Sequence, residues 1–150
     1  MTAGADRVWC VVVPHHAEGA RQARQRLAAS LAGVLSQQAL ADTVAVAAEL
    51  LGNAVRHAAP LPGGVVRLAW RMLRAGGIEI RVTDGGASTP PTVRDVGHDS
   101  PDGRGLAIVA ALADGWGVDS DGLGQCVWAR LTASGPLRAT GVPAWGGGSA

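Results

Sequence analysis

The segment AAELLGNAVRHAA, residues 47–59, decides how the rest of the chain is interpreted. Its alanine and leucine content is typical of a buried helix, yet Glu49, Asn53 and His57 recur at intervals of four, with Arg56 beside them. At 100° per residue these polar side chains fall within an arc of roughly 100°, and apolar positions occupy the opposite side. The pattern predicts a helix with one polar and one core-facing side. Taken alone, a solvated amphipathic helix is the simpler interpretation.

The composition is that of one globular domain. The chain has 150 residues, of which 47% are hydrophobic and 17% are charged, and this length suits a single core. A formal net charge of +1 argues against a dedicated nucleic-acid binder. All thirteen basic residues are arginine, and lysine, tyrosine and phenylalanine do not occur. That composition excludes a P-loop lysine, a Schiff-base lysine and a tyrosine general acid.

Cysteine usage and the N-terminus bear on localisation. Cys10 and Cys126 are too far apart in the sequence for the closely spaced ligand pairs of a zinc site. A disulfide would require their strands to be neighbours, and two reduced thiols are the favoured interpretation. The N-terminal apolar run of about five residues is too short for a signal peptide or a membrane span. We therefore expect a cytoplasmic protein that does not cross a membrane.

Strand-like and helix-like patterns alternate along the chain. β-branched runs with alternating polarity predict strands, and apolar residues at helical spacing predict helices. In chain order we predict a strand at 7–13, a helix at 17–35, a helix from an N-cap at Asp42 to Ala58, strands at 63–73 and 77–84, a helix at 103–114, and strands at 116–121 and 124–133. This order predicts the α+β class: a two-layer α/β sandwich whose one mixed, mainly antiparallel sheet is covered on one face by about three helices.

The predicted domain occupies residues 7–133. Residues 1–6 are expected to be a flexible N-terminus, and residues 134–150 have the glycine and proline content of a disordered tail. Residues 85–102 form a long loop without periodicity, and loops of that length are usually functional or mobile.

Two motifs have chemistry that suits a bound nucleotide. Glu49 and Asn53 are one helical turn apart, about 6 Å along the axis, so a carboxylate and an amide oxygen can share one hard cation. Mg²⁺ needs few protein oxygens because waters and phosphates complete its coordination. Asp84 ends an apolar strand before Gly85 and Gly86. A buried carboxylate there can accept a hydrogen bond from an exocyclic amino group such as that of adenine, although Asp-Gly is also a common turn.

The third motif is DGRGLAIV, residues 102–109. Gly103 and Gly105 lie where a helix is predicted to begin, so backbone N–H groups can face an anion there. Arg104 between them adds a positive charge. A single Gly-x-Gly before a helix is often only a tight entry turn.

In their order and spacing, ELLGN, DGG and GRGL, followed by DGWGV and VWARL, resemble the ATP-binding domain shared by histidine kinases, Hsp90, gyrase B and MutL. More closely, the chain resembles the single-domain anti-sigma-factor serine/threonine kinases and their short actinobacterial relatives. The resemblance runs from about Trp9 to Leu131, and its most specific parts are ELLGNAVRHA and GRGLAIVAALADGWGV.

This resemblance implies ATP and Mg²⁺ as ligands and a role for each motif. Glu49 would orient or deprotonate the attacking hydroxyl or water, and Asn53 would bind the Mg²⁺ that bridges the phosphates. Asp84 would receive the adenine amino group, with Gly86 shaping that pocket. Backbone N–H groups of four consecutive residues would bind the phosphates: Gly103, Arg104, Gly105 and Leu106. The loop from about Ser88 to Asp102 would close over ATP.

The resemblance also implies partners. The expected substrate is a serine on a small STAS-type anti-anti-sigma protein, and a sigma factor and a second copy of the chain are further expected partners. Where close relatives often have glycine, lysine and threonine, this chain has Gly124, Gln125 and Cys126. The change removes a hydroxyl expected near adenine and a lysine whose positive charge is expected near the phosphates or the partner surface. Two alternatives therefore stay open: a non-catalytic nucleotide-dependent interaction module, and an accessory ATPase of a signalling assembly. The roles of Arg56 and His57 also stay open.

Overall fold

The computed structural model describes residues 7–87, 101–120 and 124–132, with the backbone alone for residues 101–105. The strands in these ranges are β1 (Val8–Pro14), β2 (Val65–Leu73), β3 (Gly77–Asp84), β4 (Gly115–Ser120) and β5 (Gln125–Thr132). The helices are α1 (Ala17–Leu31), α2 (Gln37–His57) and α3 (Pro101–Leu112). The predicted order of elements is confirmed.

The strands form one sheet in the order β1-β2-β3-β5-β4, and each neighbouring pair is antiparallel. β3 and β5 are neighbours although α3 and β4 lie between them in the chain, so β3 is the central strand and β1 and β4 are the edges. The two-layer α+β sandwich is confirmed, with antiparallel pairing at all four strand interfaces of the described residues.

The two faces of the sheet differ because side chains alternate along each strand. One face packs against the helices through residues such as Leu68, Ile80 and Val127, which join Leu27 and Leu50 in one buried cluster. Burying aliphatic side chains of this size stabilises the fold by about 1.5–3 kcal/mol each. The opposite side, which we call the outer face, has no helix packed on it within the described part of the chain.

α1 is shorter than predicted. It ends at Leu31 rather than residue 35, because the chain turns at Gly33, whose φ of 82° favours glycine. The backbone N–H groups of Val34 and Leu35 both donate to the Leu31 carbonyl. Leu35 lies in this turn and is still buried. Its spacing from Leu31 therefore resembles that of a further helical turn, although the helix has ended.

α2 begins six residues before its predicted start. Ser36 is the N-cap, and its Oγ accepts from the Ala39 N–H at 3.1 Å, as a capping side chain does. Asp42 lies inside the helix and accepts from Gln38 Nε2 at 3.0 Å. The predicted Asp42 cap is therefore wrong, because the earlier turn is also helical and buries Ala39 and Thr43.

α3 begins at Pro101, two residues before the predicted start, and proline suits the first turn of a helix because its missing N–H is not needed there. Predictions for residues 1–6, 88–100, 121–123 and 133–150 lie outside the described residues. No helix within the described ranges is long and apolar enough to cross a membrane.

Candidate functional site

The polar row of α2 lies between the core and the solvent. Leu50 and Leu51 are buried, and Glu49 and Asn53 are half-buried beside them. His57, in the last turn of the helix, is exposed. Glu49 and Asn53 are therefore not on a fully solvated helix face. A ligand bound on this side of the helix would contact both side chains without entering the core.

Asn53 has an unusual environment. Its Nδ2 atom is buried and has no hydrogen-bond partner among the described residues. A buried donor without a partner costs about 1–3 kcal/mol, so an acceptor such as a ligand oxygen or a water molecule fits at this position. A half-turn of the amide would instead present its oxygen, which can ligate a cation.

The residues present suit a cation that is held mainly by a ligand. Within the described residues no three His, Cys, Asp or Glu side chains come together to hold a metal ion. Glu49 and Asn53 could supply at most three protein oxygens, two from the carboxylate and one from the amide, from positions one helical turn apart. Mg²⁺ tolerates this because it commonly keeps waters and binds phosphate oxygens.

Arg56 folds back along α2. A Cβ atom added at Gly52 would lie 2.9 Å from Arg56 Nη1. The guanidinium therefore lies over the preceding turn, against Gly52, which is the residue before Asn53. This places a positive charge on the polar side of the helix, while a role for Arg56 in binding stays a prediction.

Asp84 lies at the end of the central strand and is 3% exposed. Its Oδ1 accepts from the Gly86 N–H at 2.7 Å, and Gly86 has the left-handed φ of 94° that makes this close turn feasible. Burial raises the pKa of Asp84, and the Gly86 hydrogen bond and the charge of His15 only partly oppose this effect. The Asp84 carboxylate is therefore a desolvated hydrogen-bond acceptor, and the described protein groups offset little of the cost of burying its charge.

The turn after Asp84 is joined directly to the end of α2. The Gly85 N–H donates to the Ala59 carbonyl at 2.7 Å, and the Ala59 N–H donates to the Gly86 carbonyl at 3.0 Å. A Cβ at Gly85 would lie 2.2 Å from the Pro60 carbonyl oxygen, so this approach requires glycine. These contacts bring the Asp84 motif and the Asn53 helix to the same end of the molecule.

His15 joins a third element to this junction. Its Nε2 lies 2.8 Å from the carbonyl oxygen of Ala54 in α2, and Nε2 carries the proton because a carbonyl can only accept. The backbone N–H of His15 also donates to the Gly64 carbonyl. The residue after β1 therefore fixes the position of α2 beside Asp84.

The register of β5 changes the interpretation of the two departures from close relatives. Gln125 pairs with Asp84, and Cys126 pairs with Thr83. Paired residues share a face and consecutive residues do not, so Gln125 lies on the Asp84 side and Cys126 lies on the outer face. The buried Gln125 is thus the side chain next to the predicted adenine acceptor, whereas Cys126 is on the other side of the sheet.

The glycine motif of α3 is only partly described. The first two turns of α3 contain Gly103, Arg104 and Gly105. The structure describes only the backbone of these three residues. Leu106 is buried, and α3 packs against α2. The first N–H groups of a helix have no partner inside it, so the start of α3 has the donors that an anion requires.

The structure thus joins Asp84 and Gly86 to the helix of Glu49 and Asn53. Sequence reasoning missed His15 and assigned Gln125 to the phosphate or partner side. Neither residue has a local signal, because His15 is a single histidine after a strand and the side of Gln125 depends on strand register.

Residues 13–131 match the family model described as a histidine kinase-like ATPase domain. The chain belongs to this family. Membership of this ATPase family implies ATP as the nucleotide. The predicted resemblance is confirmed at this level, and no curated protein sequence matches the chain significantly.

One similar solved structure is that of the RsbU and RsbW domains of Rv1364c from Mycobacterium tuberculosis, with a TM-score of 0.65 and 20% sequence identity. The similarity covers 84% of this chain and 32% of that one, so this ATPase-family chain spans about a third of that protein's length. At this identity the similarity is one of fold.

Proposed function

We propose that the protein binds Mg-ATP and transfers the γ-phosphate to a serine or threonine of a protein partner, in the manner of the anti-sigma-factor kinases. The observation that carries the proposal is the junction at the end of α2. There the turn that follows the buried Asp84 is joined by backbone hydrogen bonds to the end of the helix that holds Asn53, whose Nδ2 has no partner among the described residues.

Asp84 would recognise the base. Its carboxylate is desolvated and its described hydrogen bond is to one backbone N–H, so an exocyclic amino group can donate to it. Gln125 on the paired strand would contact the same base edge, because it shares that side of the sheet.

Asn53 and the start of α3 would hold the phosphates. Mg²⁺, when bound, neutralises phosphate charge, and Asn53 is the residue that we assign to it. Backbone N–H groups in the first turn of α3, such as those of Gly103 and Arg104, would donate to phosphate oxygens, and Gly105 and Leu106 would continue the helix behind them. Transfer in such a site depends mainly on positioning and charge stabilisation.

Glu49 would be the catalytic carboxylate. One helical turn before Asn53 and half-buried, it would orient the attacking hydroxyl and accept its proton as the new O–P bond forms and ADP leaves. Its loss should therefore affect transfer more than nucleotide binding.

The proposed substrate is a STAS-type anti-anti-sigma protein, and phosphorylation would control which partner holds a sigma factor. A homodimer, a cytoplasmic location and the absence of direct contact with nucleic acid belong to the same proposal. Its support is the resemblance of the ELLGN and GRGL motifs to the anti-sigma-factor kinases.

Two substitutions test the assignment of roles in α2. Asn53→Ala should reduce Mg-ATP affinity by at least about tenfold, because one charge-assisted contact contributes about 1.5–3 kcal/mol. Glu49→Gln should retain ATP binding and lose transfer of radiolabelled phosphate to a purified STAS protein. Isothermal titration calorimetry measures the first effect and gel autoradiography the second.

Asp42→Asn is the matched control, because Asp42 lies on the same helix and its side chain accepts a hydrogen bond from Gln38. It should leave binding and transfer unchanged. No ATP binding at about millimolar nucleotide by the unmodified protein would contradict the kinase proposal, since this corresponds to an affinity weaker than about 4 kcal/mol.

A non-catalytic interaction module is the second candidate. The observation that favours it is the uncharged amide of Gln125 beside Asp84, at the position where close relatives often have lysine. ATP binding without transfer to any STAS protein, unaffected by Glu49→Gln, would support this module over the kinase.

A further inference from the structure

The outer face of the sheet carries an ordered arrangement of charges unrelated to the nucleotide site. Strand register places its side chains in three rows across β2, β3 and β5. The rows are Arg71-Glu79-Arg130, Ala69-Arg81-Trp128 and Arg67-Thr83-Cys126. β1 continues them with Val8, Cys10 and Val12, and β4 adds Gly117 and Asp119.

Glu79 is the centre of this arrangement. It is 1% exposed, yet it lies on the side of the sheet without a helix in the described part of the chain. Arg71 Nε donates to Oε1 at 3.0 Å and Arg130 Nε to Oε2 at 2.8 Å, while Arg81 Nη1 lies 3.5 Å from Oε1. Burial acts to raise the pKa of Glu79, but the arginine hydrogen bonds and charges outweigh it and lower the pKa.

The arginines exceed the carboxylates that face them. Among the described residues of this face, the three rows hold four arginines, and the acidic residues are Glu79 in β3 and Asp119 in β4, which leaves a surplus of two positive charges. Arg71 and Arg130 use Nε for Glu79, and their terminal nitrogens make no hydrogen bond within the described residues. Those nitrogens are donors that suit carboxylates.

The surface beside these donors is shaped to accept side chains. A depression of about 230 Å³ is lined by Val8, Ala69, Trp70, Arg71, Glu79 and Arg81. The Trp128 ring lies over Gly117, where a Cβ would be 2.6 Å from the ring, and the Arg130 guanidinium is 5.0 Å from the ring centre. On β1, Val12 is exposed, as is Val8, which lines the depression. The face thus combines cationic donors with apolar contact area.

We propose that the outer face binds an acidic segment of a protein partner, whose carboxylates pair with Arg71 and Arg130 while its apolar side chains contact Val8 and Trp128. Charge complementarity selects this occupant. A second copy of the chain would bring two faces with the same positive surplus together, which is unfavourable. A small anion would cover little of a face that spans three strand spacings, about 14 Å.

This surface goes beyond the proposed kinase activity. Asp84 and Gln125 face the helix side of the sheet, whereas Glu79 and its arginines face the outer side. Both sides can therefore be occupied at once, and variants of the outer face should leave ATP binding unchanged.

The test is a titration of the ¹⁵N-labelled full chain with a deca-glutamate peptide and, separately, with inorganic phosphate. The peptide should shift the backbone amides around Arg71 and Arg130 and the indole signal of Trp128. Arg71→Gln with Arg130→Gln should weaken peptide binding about tenfold. Glu79→Gln should strengthen it, because the three arginines lose their internal carboxylate. The matched control, Arg24→Gln with Arg26→Gln, removes the same charge from α1.

Equal weakening by both double variants would overturn the proposal, because it would show general charge attraction. Shifts located on α1 or at the Asp84 turn would also overturn it, as would phosphate producing the same shifts at the same concentration. Dimerisation that buries Trp128 without peptide, measured by sedimentation, would assign the face to a second copy. The opposite sign expected for Glu79→Gln separates a binding effect from simple loss of folding.

Discussion

Glu79 and Asp84 lie on the same strand, both almost fully buried, and on opposite sides of the sheet. Glu79 is held by Arg71 and Arg130 through hydrogen bonds and by the charge of Arg81. Asp84 has one described hydrogen bond, from the backbone N–H of Gly86. The two carboxylates are thus buried to a similar extent. The negative charge of Glu79 is neutralised by arginines, whereas that of Asp84 has one backbone N–H as its described hydrogen-bond donor.

Their pKa values reflect that difference. Burial acts to raise the pKa of each carboxyl group. At Glu79 the arginine hydrogen bonds and charges outweigh burial and lower the pKa. At Asp84 burial outweighs the Gly86 hydrogen bond and the charge of His15, and the pKa is raised. A carboxylate with its charge compensated contributes to the scaffold, and a carboxylate left without compensation is available to a ligand. The comparison indicates that β3 carries a structural charge on one face and a binding group on the other.

The largest expected effect is at the under-compensated carboxylate. Asp84→Asn should lower ATP affinity about 100-fold, roughly 2.7 kcal/mol, because the amide is a weaker acceptor and presents a donor to the adenine amino group. Its free energy of unfolding should stay equal or increase, since a desolvated charge is removed. Calorimetry and urea unfolding measure the two quantities, and a large loss of stability with intact ATP binding would reverse the roles assigned here.

The next effect should appear in stability. Glu79→Ala leaves three arginines without their shared carboxylate, and we expect it to lower the free energy of unfolding by about 2 kcal/mol, less than for a dry ion pair because the arginines reach solvent. ATP affinity should not change. The control, Glu18→Ala, disrupts the exposed pair with Arg21 and should have no measurable effect. Equal stability of the two variants would refute a structural role for Glu79.

The smallest effect should be in pH dependence. Glu79 has a pKa below its ordinary value of 4.5, so its stabilisation is complete above that pH and is lost as the pH falls through its folded pKa. Asp84 has a pKa above its ordinary value of 3.8, so its protonation on acidification favours the folded state but removes a charged acceptor.

As the pH falls from about 7 towards the ordinary aspartate pKa of 3.8, the contribution of Asp84 to the unfolding free energy should therefore hold or rise, while affinity for adenosine, which has no phosphate to titrate, declines. Below about pH 4.5 the stability difference between the unmodified protein and Glu79→Gln should shrink. Urea unfolding and fluorescence titration across this range test both statements. An adenosine affinity that is constant down to pH 4 would argue against Asp84 as the base acceptor.

Local patterns were sufficient where the information is local. The alternation in β3 and the glycines after Asp84 predicted a strand ending in a tight turn, and the spacing of Glu49 and Asn53 predicted their common helix face. The N-cap was misplaced at Asp42 because two capping residues are present, and only the burial of Ala39 decides that the helix extends back to Ser36.

Glu79 illustrates what local patterns do not contain. In the sequence it is one polar residue in an alternating strand, which predicts a solvent-facing position. Its burial depends on Arg71 and Arg130, which are 8 and 51 residues away. The same holds for Gln125, whose side of the sheet is set by pairing with Asp84.

The sequence by itself determined the element order and the sandwich class, because these depend on periodicity along the chain, and its short motifs carried the resemblance to the family. Only the tertiary structure decided that the Asp84 turn joins the end of α2, that His15 and Gln125 lie beside it, and that Glu79 is neutralised on the outer face. The reason is physical: strand register and helix packing set which distant side chains share a face, and those neighbours determine burial, charge and pKa.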